Sequence, residues 1–318
     1  DLVFGEVTTP NREQQDFVLL RSDGVPLYNF GVVIDDLTMG IDLVMRGRDH
    51  MVNTPPQILL YEALGVKPPT FAHLPMMLSP KGEKLSKRHG AVSVSEYEKM
   101  GYTPGAVLNY LARFGWSCGD QEIFSLEELV DKFSFESLNR SDGRFDAKKF
   151  ADVAFEHLKE PRLTSDADYS RHLHPFMAAR GLGSVDEAML RKAIGTVRAR
   201  GRTLADAAER IEFYFRPVVF DDKAKEKFLT PDVVEPLQAM IACLSSLDSF
   251  DEGEIEQAIQ QLLASRGWEM KEIAQPARVS LTGQKVSPGV FEMLAVLGRE
   301  ESIRRLRQGV QIARGTAS

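Results

Sequence analysis

The stretch Ser79-Pro80-Lys81-Gly82-Glu83-Lys84-Leu85-Ser86-Lys87-Arg88-His89-Gly90 brings Lys84, Lys87 and Arg88 together between two glycines. Gly82 and Gly90 favour a surface loop. Such a loop can close over an anionic ligand, where ammonium groups stabilise charge that develops during a displacement at phosphorus. A solvated basic segment has the same composition, and the residues alone leave both readings open. A second basic concentration, Arg191, Lys192, Arg198, Arg200 and Arg202, crowds one expected helix and its end. A third, Arg299, Arg304, Arg305 and Arg307, reads most simply as a solvated helix face. His157, His172 and His174 are scattered through helical segments. The His-X-His pair has no further ligand pattern beside it, so a structural or solvated role is expected. Trp116 and Trp268 are expected to pack rather than to stack on a ligand.

The elements that must position these groups follow from hydrophobic pattern and punctuation. Residues 17–20 and 25–30 read as extended segments around an Arg21-Ser22-Asp23-Gly24 turn. Gly31-Val32-Val33-Ile34 is β-branched and apolar, which predicts a buried strand ended by Asp35-Asp36. The apolar run 41–45 ends at Arg46-Gly47-Arg48-Asp49-His50. A helix follows, with Thr54 as N-cap, Pro55 and Pro56 in its first turn and Gly65 as its stop. With the apolar segment 71–78 this is the tail end of an α/β sheet unit. Beyond about residue 90 apolar residues recur at three- and four-residue spacing, predicting helices over 104–114, 126–133, 188–200, 204–214, 233–244, 254–264 and 290–297. Ser125, with Glu127 and Glu128 behind it, marks one helix start. Boundaries are expected near 161–165 and 220–231.

Composition narrows the class. Of 318 residues 43% are apolar and 27% charged, which suits a globular chain of two or three domains. The net charge of −7 argues against indiscriminate nucleic-acid binding but permits a local basic face. Two distant cysteines, Cys118 and Cys243, exclude a disulfide framework or a Cys-rich zinc site and point to a reducing compartment. No apolar run reaches the roughly 18–20 residues of a membrane helix, and no secretory signal is visible. The first residue is Asp1 rather than Met, so a fragment or a missing N-terminus is expected.

Lys84-Leu85-Ser86-Lys87-Arg88 resembles the KMSKS signature of class I aminoacyl-tRNA synthetases, and residues 78–92 are similar to the glutamyl-tRNA synthetases in particular. The resemblance continues upstream through Pro26-Leu27-Tyr28-Asn29-Phe30, Val32-Val33-Ile34-Asp35-Asp36, Met39-Gly40-Ile41, Val44-Met45-Arg46-Gly47 and Asn53-Thr54-Pro55-Pro56-Gln57-Ile58-Leu59-Leu60-Tyr61. Downstream it takes in Gln275-Pro276-Ala277-Arg278, Leu281-Thr282-Gly283 and Ser287-Pro288-Gly289. It therefore spans essentially the whole chain, in fixed order.

The resemblance implies a C-terminal part of a bacterial-type glutamyl-tRNA synthetase. Its fold would be an α/β remnant of the class I nucleotide-binding, Rossmann-like catalytic domain, followed by all-α stem-contact and anticodon-binding domains, with limits 1–75, 76–163, 164–228 and 229–318. It implies a cytoplasmic monomer that uses ATP and magnesium to join L-glutamate to its tRNA through glutamyl-adenylate. Lys87 and Lys84 become the catalytic positions, with Ser86 beside them in ATP binding. Tyr28 and Arg46 match the amino-acid-binding positions, and Arg46 offers a planar fork to a carboxylate. In members that reject glutamine tRNA, an arginine near residue 200 reads the third anticodon base; Arg200 is the best match, with Arg198 or Arg202 as register alternatives. Two departures stand out. Arg48 replaces the acidic residue of the usual Arg-Gly-Glu-Asp-His string, and the HIGH-type signature is absent. The zinc site of some members lies with that signature, so no metal is expected here, and the chain alone is expected not to activate glutamate. A non-catalytic tRNA-binding module is the alternative from another class. A glutaminyl-tRNA synthetase would instead be expected to carry β-barrel anticodon domains.

Overall fold

The computed structural model describes residues 1–85 and 93–315. The chain divides into two units, one of Asp1–Glu96 with Pro104–Val153, the other of Tyr97–Thr103 with the chain from Ala154 onward. The Lys87 and Ser86 positions of the signature lie outside the described residues.

In the first unit, α1 (Tyr28–Met39) leads to β1 (Leu43–Gly47), then α2 (Thr54–Ala63) and β2 (Thr70–Leu74). β1 and β2 pair in parallel with α2 as the crossover, the unit from which nucleotide-binding sheets are built. A second parallel pair joins β3 (Met77–Leu78) to β4 (Gly143–Arg144). In the chain between them come α3 (Val94–Lys99), which runs from the first unit into the second, then α4 (Pro104–Gly115) and α5 (Leu126–Lys132). Ser125 begins α5 as expected. Its hydroxyl accepts from Glu128 N while the Glu128 carboxylate accepts from Ser125 N, a reciprocal cap. Trp116 is buried against Phe124 and Phe133, as its packing role required.

The first unit corrects three readings. Residues 31–34 are not a strand but the middle of α1, with Val33 buried. A β-branched run is a weak prior, and packing against α2 overrides it. Gly40, at φ 69°, then closes the helix in the left-handed conformation that favours glycine. Thr54 does not cap α2: its hydroxyl accepts a hydrogen bond from Arg46 instead. Residues 17–20 and 25–30 form no full strands. The 21–24 turn does hold, with Leu20 bridged to Pro26 and Leu27 N donating to Leu19 O.

α6 (Ala147–Lys159) passes from the first unit into the second. The second continues with α7 (Asp166–Ala179), α8 (Glu187–Val197), α9 (Leu204–Ile211), α10 (Asp222–Phe228), α11 (Val234–Ser245), α12 (Glu252–Arg266), α13 (Met270–Thr282) and α14 (Val290–Ala313). No strand occurs among its described residues. Its core is continuous from Leu158 and Tyr169 through Leu237 and Met240 to Leu306. Side-chain caps from Ser165, Asp186, Thr203, Asp221 and Asp251 start five of these helices.

The basic run on α14 is a further correction. Arg305 is 1% exposed, not solvated. Its Nη1 donates to Phe213 O at 2.9 Å and Leu281 O at 2.7 Å, its Nη2 to Arg216 O at 3.0 Å, and its Nε to Glu301 at 2.6 Å. Hydrogen bonds from Arg304 and Arg305 hold the Glu301 carboxyl down to about 2. The burial is tolerable because every face of the guanidinium has an acceptor and the charge a counter-charge.

Candidate functional site

In the first unit the sheet register builds the site. Arg46 and His73 are direct partners across β1 and β2. Arg46 Nε donates to His73 Nε2 at 3.2 Å, and Arg46 Nη2 donates to Thr54 Oγ1 at 2.8 Å. His73 Nδ1 lies 2.6 Å from Asp1 Oδ2, so Nδ1 carries the proton and the ring is neutral. Burial, then Arg46, push the His73 pKa down, in agreement with that tautomer. Arg46 thus meets neutral hydrogen-bond partners, with its guanidinium 5.5 Å from the Phe71 ring. Asp36 feels its charge more remotely: burial pushes that carboxyl up and Arg46 pulls it back. The arrangement leaves Arg46 cationic charge to spend on a ligand.

Tyr28 is the first residue of α1 and 51% exposed. Its hydroxyl lies 3.2 Å from His50 Nδ1, which Asn53 Nδ2 also approaches at 3.3 Å. An amide nitrogen only donates, so Nδ1 is the acceptor here. Lys84 follows the turn after β3, bridged to Leu78, and its Nζ donates to Asp49 at 2.7 Å. That contact holds the Asp49 carboxyl below its usual range. β1 therefore ends in a cluster of Arg46, Asp49 and His50, with Tyr28 and Lys84 each bound to it. Carboxyl ends of parallel strands are where open α/β sheets bind ligands. Arg48, at the unusual position, turns to Asp142 at 2.7 Å. Sequence reasoning missed His50, Asp49, Thr54 and His73. His50 and Asp49 sat in the quoted string, whereas His73 becomes visible only once the register sets it opposite Arg46.

In the second unit the basic end of α8 separates into two fates. Arg198 is interior: its side chain is 11% exposed, bonded to Leu158 O, Thr164 O and Asp166, and stacked over Tyr169. Arg200 is 43% exposed and lines a groove of about 560 Å³ with Arg210, Arg216, Gln284, Lys285 and Ser287. Its Nη1 donates to Thr196 O and, at 2.8 Å, to Glu292, with Nη2 at 3.4 Å from the other carboxylate oxygen. Arg210 pairs with Asp206 and Arg216 approaches Glu212. One wall is fixed by Gly283, where a Cβ would lie 2.0 Å from Val219 O and φ is +75°. Apolar Phe213, Pro217 and Val286 complete a surface suited to a flat, hydrogen-bonding ligand.

Residues 1–152 match the family model described as tRNA synthetases class I (E and Q), catalytic domain, and residues 168–310 match an anticodon binding domain. The chain is 46% identical over 312 residues to a glutamate–tRNA ligase of Anaeromyxobacter sp. (strain Fw109-5), covering 98% of this chain and 66% of that protein. It is 45% identical over 316 residues to that of Geotalea uraniireducens, covering 99% and 67%. A crystal structure of a glutamate tRNA ligase from Elizabethkingia meningosepticum in complex with its amino acid superposes with a TM-score of 0.79 at 30% identity, covering 98% of this chain and 65% of that one. The chain spans about two thirds of the length of the relatives it matches. With a class I catalytic unit in front, a helical anticodon-binding unit behind and this identity across both, the chain belongs to the glutamate–tRNA ligase family.

Proposed function

We propose that this chain supplies part of the glutamate site, the signature loop and the anticodon contacts of an enzyme that joins L-glutamate to its tRNA at the expense of ATP. The observation that carries the reading is Arg46, held at the carboxyl end of β1 by neutral partners, with Lys84 and Tyr28 bonded to Asp49 and His50 just after that strand. Arg46 would take a carboxylate of glutamate in its fork, and Tyr28 would donate beside it. The other glutamate carboxylate attacks the α-phosphorus of ATP, the bond to the β-phosphate bridge breaks, and pyrophosphate leaves. A terminal hydroxyl of the tRNA then attacks the acyl carbon, loses its proton and releases AMP. Lys84, Lys87 and Ser86 would bind the nucleotide, the lysines offsetting the charge spread over the phosphoryl oxygens. Magnesium would arrive on the nucleotide phosphates. Among the described residues no three His, Cys, Asp or Glu side chains converge to hold a metal.

In the second unit the groove would receive the anticodon, with Arg200 reading the third base. The internal bonds of Arg198 favour Arg200 over it. The second unit, without a strand among its described residues, supports a glutamate rather than a glutamine enzyme. The four domain limits, a monomeric state and a cytoplasmic setting belong to the same proposal. No described helix is long and apolar enough to cross a membrane.

The test is glutamate-dependent ATP–pyrophosphate exchange in a chain extended to the full length of the relatives. Arg46→Gln should raise the KM for glutamate by roughly 100-fold, since a charge-assisted fork is replaced by a neutral amide. An unchanged KM would remove Arg46 from the amino-acid site.

A further inference from the structure

Arg200 is not a free cation. The carbonyl of Thr196, at the end of α8, and the carboxylate of Glu292 both hold its guanidinium. Glu292 stands in the first turn of α14, and its Oε2 also accepts the Gly289 backbone N–H at 3.0 Å. A single carboxylate therefore ties the arginine after α8 to the Ser287-Pro288-Gly289 turn, and Ser287 and Pro288 line the same groove. Both ends of the guanidinium fork point at Glu292. Its remaining edge, Nε with the second Nη2 proton, meets no acceptor among the described residues. That edge carries two parallel donors, the geometry that recognises a base edge with two acceptors.

We propose that Glu292 is the positioning residue of anticodon reading: it fixes which edge of Arg200 faces the groove and at what distance from the 287–289 turn. The proposal rests on the reading of Arg200 as the residue that recognises the third anticodon base. Glu292 touches no nucleotide. It acts by removing the rotamer freedom of a long side chain before binding, so less of it is lost when the base arrives. Neutralising the charge has a second effect. A bare guanidinium in this groove would attract any phosphate, whereas the paired one favours directional hydrogen bonds over indiscriminate anion binding.

The experiment compares binding of this chain, at fixed salt, to glutamate tRNA and to a transcript differing only in the third anticodon base. Arg200→Gln should lower the affinity ratio by roughly five-fold or more, the lower range of one bidentate contact. Glu292→Gln keeps an oxygen for the Gly289 cap but loses the charge and the second acceptor. It should lower the ratio to a similar extent while leaving the unfolding midpoint near that of the wild type. The double variant should be no worse than Arg200→Gln alone, because both act through one contact. Glu292→Ala should lower the ratio further and also destabilise the turn. A ratio lowered by Arg200→Gln but untouched by Glu292→Gln overturns the proposal and leaves Glu292 a helix cap. If neither variant changes the ratio, the reading of Arg200 falls and the proposal falls with it.

Discussion

Two arginines at the two sites are held in opposite ways. Arg46, at the end of β1, is oriented by a neutral imidazole and a hydroxyl. Arg200, in the groove, is oriented by a carboxylate and a carbonyl. The first arrangement fixes direction and keeps the charge, as binding a free anion requires. The second fixes direction and cancels the charge, as suits recognition of a neutral, hydrogen-bonding surface. Arg305 carries the second arrangement to its limit, with three carbonyls and a carboxylate around one buried guanidinium. The choice of partner, more than the arginine itself, tells what the cation is for.

The contrast can be broken by substitution. Arg305→Leu should cost about 3–5 kcal/mol, because Glu301 and the carbonyls of Phe213, Arg216 and Leu281 lose their partner together. Urea unfolding measures this, and a loss below about 1 kcal/mol would place Arg305 with ordinary surface arginines.

Acid sharpens the same contrast for histidines. Burial, helped by Arg162, pushes His157 down to about 4 from 6.5. The unfolded chain then binds the proton more readily, so stability present above about pH 6.5 is lost as pH falls towards 4, by up to about 3 kcal/mol. His73 is shifted in the same direction. Stability at pH 7 and pH 4.5 should diverge less in His157→Gln than in the wild type, whereas equal slopes would mean that His157 is protonated at no cost.

Arg46→Leu should cost only about 1 kcal/mol of stability, the scale of ordinary hydrogen bonds, since its partners are neutral. A loss as large as that of Arg305→Leu would erase the distinction between the arginine proposed to bind a ligand and a structural one. Smallest of all, Asp49→Asn should change stability by about 0–1 kcal/mol, and less in high salt, because its pair with Lys84 is exposed. A salt-independent loss would mean that the pair is more enclosed than its exposure indicates.

What was legible in the chain was mostly local. Pro55-Pro56 in the first turn and Gly65 beyond the last delimit α2, and Ser125 with Glu128 writes the start of α5, because caps and breakers act over a few residues. The misreadings concern packing. Val32, Val33 and Ile34 have strand propensity, yet α1 forms where α2 can bury its face. Arg305 was misplaced because its charge outweighed its spacing. It falls in a stripe with Ser302, Leu306, Gly309, Val310 and Ala313, all buried, and that period was the available signal. Tyr28, Arg46 and Lys84 came from motif order, but the pairing of Tyr28 with His50, of Lys84 with Asp49 and of Arg46 with His73 required three dimensions.

The buried Arg305 also bears on how the groove can change. It joins the carbonyls of Phe213 and Arg216, after α9, to that of Leu281, near the end of α13, and these segments frame the groove. The frame is thus bolted from behind by a residue that does not face the groove. The side chains of Gln284 and Lys285, which line the groove, take no part in holding that frame among the described residues. Each can be exchanged with little loss of stability, so the lining of the groove can vary by stepwise substitution without passing through unfolded intermediates. In such a scaffold, recognition can diversify while the architecture stays fixed.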